Sequence, residues 1–174
     1  YEIHERLVGS EMCIRDSVAK AVLAIWAVRL AFQFIGGVDT TVLENDMNWV
    51  GYMAGFMAVV GHVFPVYYGF RGGKGVLAAI SAIFTLDWRT GCLLLAVFII
   101  IVAVTRYVSL GSCIASSLYG FGTLGFVYFM DGDPAGIVCT FIAFFTAALV
   151  IYMHRGNIKR LAAHTEKKLG EKAK

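Results

Sequence analysis

The chain has 174 residues, 59% of them hydrophobic and 16% charged, with two prolines, a mean hydropathy of +0.72 and a formal net charge of +3. That balance is too apolar for a soluble domain of this size and describes an integral membrane protein. The weak positive charge gathers in the C-terminal tail without interleaved aromatics, which argues against a nucleic-acid surface, and Cys13, Cys92, Cys113 and Cys139 show no CxxC spacing for zinc or thiol redox chemistry.

Residues 1–15 hold neither a membrane span nor the charged start and apolar core of a signal peptide, and read as a leader, disordered or artefactual. Apolar runs long enough to cross ~30 Å of hydrocarbon at ~1.5 Å per residue follow at roughly 18–36, 47–69, 90–105, 109–130 and 134–153. A shorter run at 75–88 makes a marginal sixth. The expected fold is all-α: a polytopic membrane helical bundle of about six segments over 16–155, followed by a basic cytoplasmic tail over 156–174. With six crossings, Arg71, Lys74, Arg106, Arg155, Lys159, Arg160, Lys167, Lys168, Lys172 and Lys174 share the cytoplasmic side. Asp39, Glu44, Asp46, Asp87, Asp131 and Asp133 fall on the other, where Arg89 is the one exception. Gly51 and Gly55 form a GxxxG pair, and Gly120, Gly122 and Gly125 spell GxGxxG within a membrane run. No strand or βαβ unit accompanies the second, so close helix packing is the expected reason for both.

The segment Gly61-His62-Val63-Phe64-Pro65, followed by Gly69-Phe70-Arg71-Gly72-Gly73-Lys74-Gly75, breaks two apolar runs with two cations and several glycines. Glycines let backbone N–H groups approach phosphate oxygens, and a helix starting at the loop's end turns the positive end of its dipole to the same point. The plainer reading is a tight turn whose cations mark the cytoplasmic face. A Walker A loop is excluded: Tyr68 stands where its first glycine belongs and Gly75 where Ser or Thr would hold magnesium. His62, a histidine in an otherwise apolar helix, is a site candidate or a bonded packing residue.

Further along, Ser109 stands at the cytoplasmic entrance of its span, while Ser112, Ser116 and Ser117 suit helix packing. The tail reads His154-Arg155-Gly156-Asn157-Ile158-Lys159-Arg160-Leu161, then Thr165-Glu166. If it is helical, His154, Asn157 and Leu161 share a face and Lys159 points away. An imidazole, a carboxamide and Arg160 so placed suit a polyol phosphate or a proton transfer, against the alternative of a solvated juxtamembrane helix drawn to anionic lipid.

Together GHVFPVYYGFRGGKGV at 61–76, TRYVSLGS at 105–112 and HRGNIKRL with Thr-Glu at 154–166 resemble the blocks of the bacterial acyl-phosphate:glycerol-3-phosphate acyltransferases, the PlsY family, over about residues 16–168. The resemblance implies transfer of a fatty acyl group from acyl phosphate to the sn-1 hydroxyl of glycerol 3-phosphate, giving lysophosphatidic acid and phosphate without metal or nucleotide. It implies a bacterial plasma-membrane enzyme with its active site and C-terminus in the cytoplasm and membrane lipid around it. Carried over by position, Lys74, His154, Asn157 and Ser109 would be catalytic, and His62, Arg71, Gly72, Gly73, Gly75, Arg160 and Glu166 would bind substrate or phosphate. The family also has a seventh helix at its start and a GSGN-x-G-x-x-N-x-x-R loop, neither of which occurs here. The chain therefore reads as N-terminally truncated, with its own activity open. It departs from the pattern at Leu77 and Ala78, where Ala-Thr is usual, at Gly156, and at His164, where glycine normally precedes Thr-Glu. Two other classes compete: a small transporter or channel for a phosphorylated anion, and a structural bundle that only holds anionic lipid. A transporter would need ionisable groups deep in several spans, where only Arg29 and His62 qualify.

Overall fold

In a computed structural model the chain is described over residues 2–39, 42, 47–70 and 72–171, with side chains described from residue 18 onward except at position 68. Seven α-helices make up the described fold. Helix α1 spans Glu2–Phe34, and its helical backbone runs through the stretch expected as a leader. Helix α2, Asn48–Val63, stops where Pro65 removes a donor and forces the preceding Phe64 out of the helical region. A 3-10 turn at Val66–Tyr68 and the glycine loop lead to α3, Val76–Leu86. Then come α4, Trp88–Thr105, and α5, Val108–Thr123, which continues as a π-helical stretch over Leu124–Met130. Helix α6 covers Gly136–Met153 and α7 covers Arg155–Ala162.

Among the described residues, three of these are long and apolar enough to cross a bilayer: α4, α5 with its π-helical continuation, and α6. The expected count of six is met only at this coarser level. Pro65 limits α2 to 16 residues, and α3 has 11, about 16 Å of helix against the ~30 Å a span requires.

Helix α1 packs on α2 and α3, α2 reaches α6, and α4, α5 and α6 pack in sequence. Between helices in lipid the hydrophobic effect gives little, so close approach through small residues carries the packing. A Cβ at Gly55 would meet Ala82 Cβ at 3.2 Å, one at Gly122 would meet Thr90 Cγ2 at 2.9 Å, and one at Gly120 would enter the Phe144 ring at 2.5 Å. The glycine patterns at 51–55 and 120–122 are therefore packing seams, as expected, whereas Gly125 faces open space.

At one end of the bundle, buried Asp87 caps α4: its carboxylate accepts from Arg89 N at 3.2 Å, Thr90 N at 3.3 Å and Thr90 Oγ1 at 2.6 Å. Such a cap stabilises a helix by about 1 kcal/mol. Arg89 donates from Nε to Asp87 at 3.0 Å and from Nη1 to Asp131 at 2.8 Å, so the cation that breaks the charge pattern is neutralised by acids on its own side. Arg29 donates to Asn48 Oδ1 at 3.3 Å, and Asn48 Nδ2 to buried Asp133 at 3.2 Å. This end is structural.

Candidate active site

The opposite end gathers the glycine loop, the start of α5 and the α6–α7 junction. Val63, Ala78, Ala79 and Val150 belong to one buried cluster against which Val76 and Met153 pack, so the end of α2, the start of α3 and the end of α6 share one core at the end that carries the glycine loop and His154.

The loop is shaped by contacts that permit only glycine. A Cβ at Gly72 would stand 2.2 Å from His62 O and 2.6 Å from Val63 O, and Gly72 N donates to Val63 O at 3.1 Å. A Cβ at Gly73 would stand 2.8 Å from His62 Nε2, so the imidazole lies directly against the loop backbone. His62 is thus a half-buried shelf under the loop. Gly75 closes it in the left-handed region, with φ 77°, as the N-cap of α3. Among the described residues, the amides of Gly73, Lys74 and Gly75 make no backbone hydrogen bond. The Lys74 side chain is exposed and has no hydrogen-bond or ion-pair partner there. Amides without a backbone partner, a helix start and an unpaired ammonium thus fall within consecutive residues 73–75, an arrangement suited to an anion. Arg71 lies outside the described residues.

The second half of the site is a hydrogen-bonded cluster spanning three chain segments. Ser109, buried in the first turn of α5, donates from Oγ to Glu166 Oε1. Asn157, buried in α7, donates from Nδ2 to Ser109 Oγ at 2.8 Å and to Glu166 Oε1 at 2.7 Å. Arg160 Nε donates to the other carboxylate oxygen at 2.7 Å. Burial of the Glu166 carboxyl pushes its pKa up, but the bonds from Ser109, Asn157 and Arg160, with Arg160's charge, outweigh that and bring it down to about 2. Glu166 is an anion at any physiological pH.

His154 sits where α6 gives way to α7 and is 2% exposed. Its Nδ1 lies 2.8 Å from Val150 O. A carbonyl only accepts, so Nδ1 carries the proton and Nε2 is left as an acceptor. Burial lowers the imidazole pKa below its ordinary value, the Val150 bond raises it, Lys74 lowers it and Glu166 raises it. The net shift is downward, so His154 is neutral at pH 7 with a free base nitrogen.

The structure joins Ser109, Asn157, Arg160 and Glu166 in one hydrogen-bonded cluster, places His154 three residues before Asn157 at the α6–α7 junction and Lys74 in the glycine loop, and sets Gly72, Gly73, Gly75 and His62 as the loop's frame. The shared face expected for the tail is present, with His154 and Asn157 buried and Lys159 exposed. One feature has almost no signal in the sequence: the chain after Glu166 folds back, and Leu169 N donates to Arg106 O at 2.7 Å. A lone leucine in a lysine-rich run is the only signal of it. Cys92 is exposed, Cys113 half-buried and Cys139 buried, and the three are unpaired among the described residues.

Comparison with known proteins agrees with this arrangement. The family model for glycerol-3-phosphate acyltransferases matches residues 6–164, beginning ten residues before the start expected at about 16. A glycerol-3-phosphate acyltransferase of Clostridioides difficile is 38% identical over 161 residues, covering 92% of this chain and 71% of the relative. One from Francisella philomiragia is 29% identical over 150 residues, covering 84% and 70%. The crystal structure of PlsY, an integral membrane glycerol 3-phosphate acyltransferase, in its glycerol 3-phosphate form superposes with a TM-score of 0.69 at 29% identity, covering 95% of this chain and 74% of that one. Its lysophosphatidic acid form gives the same score.

Proposed function

The chain belongs to the glycerol-3-phosphate acyltransferase family, whose members form lysophosphatidic acid, and from that premise we propose how its own residues divide the reaction. The acyl donor is an acyl phosphate. Its phosphate rests on the free amides of Gly73, Lys74 and Gly75, with the Lys74 ammonium and the start of α3 opposing its charge. The acyl chain stays in lipid. Arg71 adds charge to the same loop.

Glycerol 3-phosphate enters from the cytoplasm and meets the cluster on the other side. Ser109 and Asn157 have spent donors on Glu166, which makes Glu166 the keystone that fixes them rather than a base. Asn157 Oδ1 and the outer nitrogens of Arg160 remain to orient the acceptor's hydroxyls and phosphate. The sn-1 hydroxyl oxygen attacks the acyl carbonyl carbon. Its proton passes to a substrate phosphate or to His154 Nε2, and the bond from carbonyl carbon to phosphate oxygen breaks to release inorganic phosphate. The mixed anhydride is already activated, so positioning and charge stabilisation supply most of the rate. No side-chain acyl intermediate forms. All six apolar segments cross the bacterial plasma membrane, with the site end in the cytoplasm. The transporter reading gives way to family membership and to the gathering of polar groups at one surface.

The observation that carries this reading is the run of amides at Gly73, Lys74 and Gly75 that make no backbone hydrogen bond among the described residues, with the Lys74 side chain exposed beside them. Its test uses the protein in proteoliposomes with glycerol 3-phosphate. Lysophosphatidic acid should form from palmitoyl phosphate and not from palmitoyl-CoA, with ATP absent and EDTA present. Turnover with the thioester alone, or an acylated protein trapped by rapid quench, would sink the proposal.

A further inference from the structure

Glu166 lies beyond the last helix, so something must return the chain to the site and hold it there. Helix α7 ends at Ala162, and His164 takes a left-handed conformation with φ 54°, turning the chain back. Thr165 N donates to Arg160 O at 2.8 Å, which fixes the approach to Glu166 from one side. The other side is fixed at Arg106. This residue ends α4 in the left-handed region with φ 62°, three positions before Ser109. Its carbonyl accepts from Leu169 N at 2.7 Å, and its guanidinium Nη2 donates to Leu169 O at 2.9 Å. One residue therefore grips both backbone groups of Leu169.

Neighbouring contacts support the grip. The Lys168 ammonium lies 5.6 Å from the centre of the Tyr107 ring. Gly170, with φ 83°, leaves room for the guanidinium: a Cβ there would lie 3.3 Å from Nη2. Glu171 N donates to Lys168 O at 3.1 Å, and Lys168 N to Glu171 Oε2 at 3.1 Å, so the strap ends in a closed turn.

We infer that Arg106 is a positioning residue for the acyl transfer, anchoring residues 167–171 as a strap that keeps Glu166 on Ser109 and Asn157. The inference rests on the proposed acceptor site. Arg106 lies outside the cluster itself and acts through the tail: releasing Leu169 frees Glu166 to leave, and Ser109 and Asn157 then lose their common partner. A few hydrogen bonds and one ring contact are set against the ordering entropy of five residues, so the balance is close and the strap opens readily. An open strap lets acceptor in and product out; a closed one orders the site.

The test compares Arg106→Ala, a chain ending at Lys168, and the two combined, in proteoliposomes. Each single change should raise KM for glycerol 3-phosphate about tenfold with a smaller fall in kcat, and the combination should do no more than either, because both remove one contact. Arg106→Lys, which keeps a donor for Leu169 O, should recover part of the loss. Hydrogen exchange at the Leu169 amide supplies a readout independent of turnover: protected in the wild type, unprotected in Arg106→Ala. Additive KM effects, an unchanged KM in the shortened chain, or an unprotected Leu169 amide in the wild type would overturn the strap. A wild type that makes no lysophosphatidic acid yet protects Leu169 would overturn the proposed reaction and leave the strap standing.

Discussion

At the end of the bundle remote from the site, each charge has its partners: Asp87 holds the start of α4, Arg89 lies between Asp87 and Asp131, and Asp133 accepts from Ala135 N and Asn48. At the site end, Glu166 draws three donors from segments up to 57 residues away, while Lys74 has no partner at all among the described residues. The charges at the remote end are paired, because a buried unpaired charge is expensive. Groups that serve binding keep capacity free, and the molecule accepts that cost where water and substrate can reach it.

Removing a donor at the site end should therefore hurt catalysis more than folding. Asn157→Ala takes one hydrogen bond from an ionised carboxylate and one from Ser109; bonds to charged groups are each worth ~1.5–3 kcal/mol, so turnover should fall roughly tenfold to a hundredfold in the lysophosphatidic acid assay. A smaller loss, about tenfold, is expected for Gly73→Ala, whose new Cβ collides with His62 Nε2. Adding His62→Ala should restore part of it if His62 is a shelf rather than a catalytic group. An undiminished or deeper defect in the double variant would place His62 in the chemistry.

The other end predicts the reverse pattern. Asp87→Ala loses the α4 cap and leaves the buried Thr90 hydroxyl short of a partner, which should lower stability by about 1–2 kcal/mol while turnover per folded molecule stays unchanged. The smallest effect concerns pH. The folded pKa of Glu166 lies below its ordinary value, so its contribution is complete above about 4.5 and is lost as pH falls through about 2. Protection of the Thr165–Leu169 amides should be level from pH 8 to 5 and decline only below that window.

Much of the site was legible because its chemistry comes in short runs. The glycine loop and the His154–Asn157 face are local patterns. Their physical reasons were less legible. Gly72 and Gly73 were read as openings for an anion, and the fold adds that His62 and Pro65 leave space for nothing larger. Arg89 broke the charge pattern until Asp87 and Asp131 were seen around it. The tail was harder still: Leu169 pairs with Arg106 through backbone groups, which leave no trace in side-chain identity. His164 shows how a departure from family pattern matters, since it occupies a left-handed position that glycine would fill at lower cost. Helix ends were less legible than spans, because apolar runs continue through Pro65, Gly75 and Asp87, where the helices themselves stop.

If the amides of Gly73, Lys74 and Gly75 and the Lys74 ammonium hold the donor's phosphate, Lys74→Ala must lose most of the activity. Initial rates of lysophosphatidic acid formation should fall at least a hundredfold at subsaturating acyl phosphate, the scale of losing a preorganised group that stabilises developing charge. Normal turnover by Lys74→Ala would contradict the account and remove the loop from the mechanism.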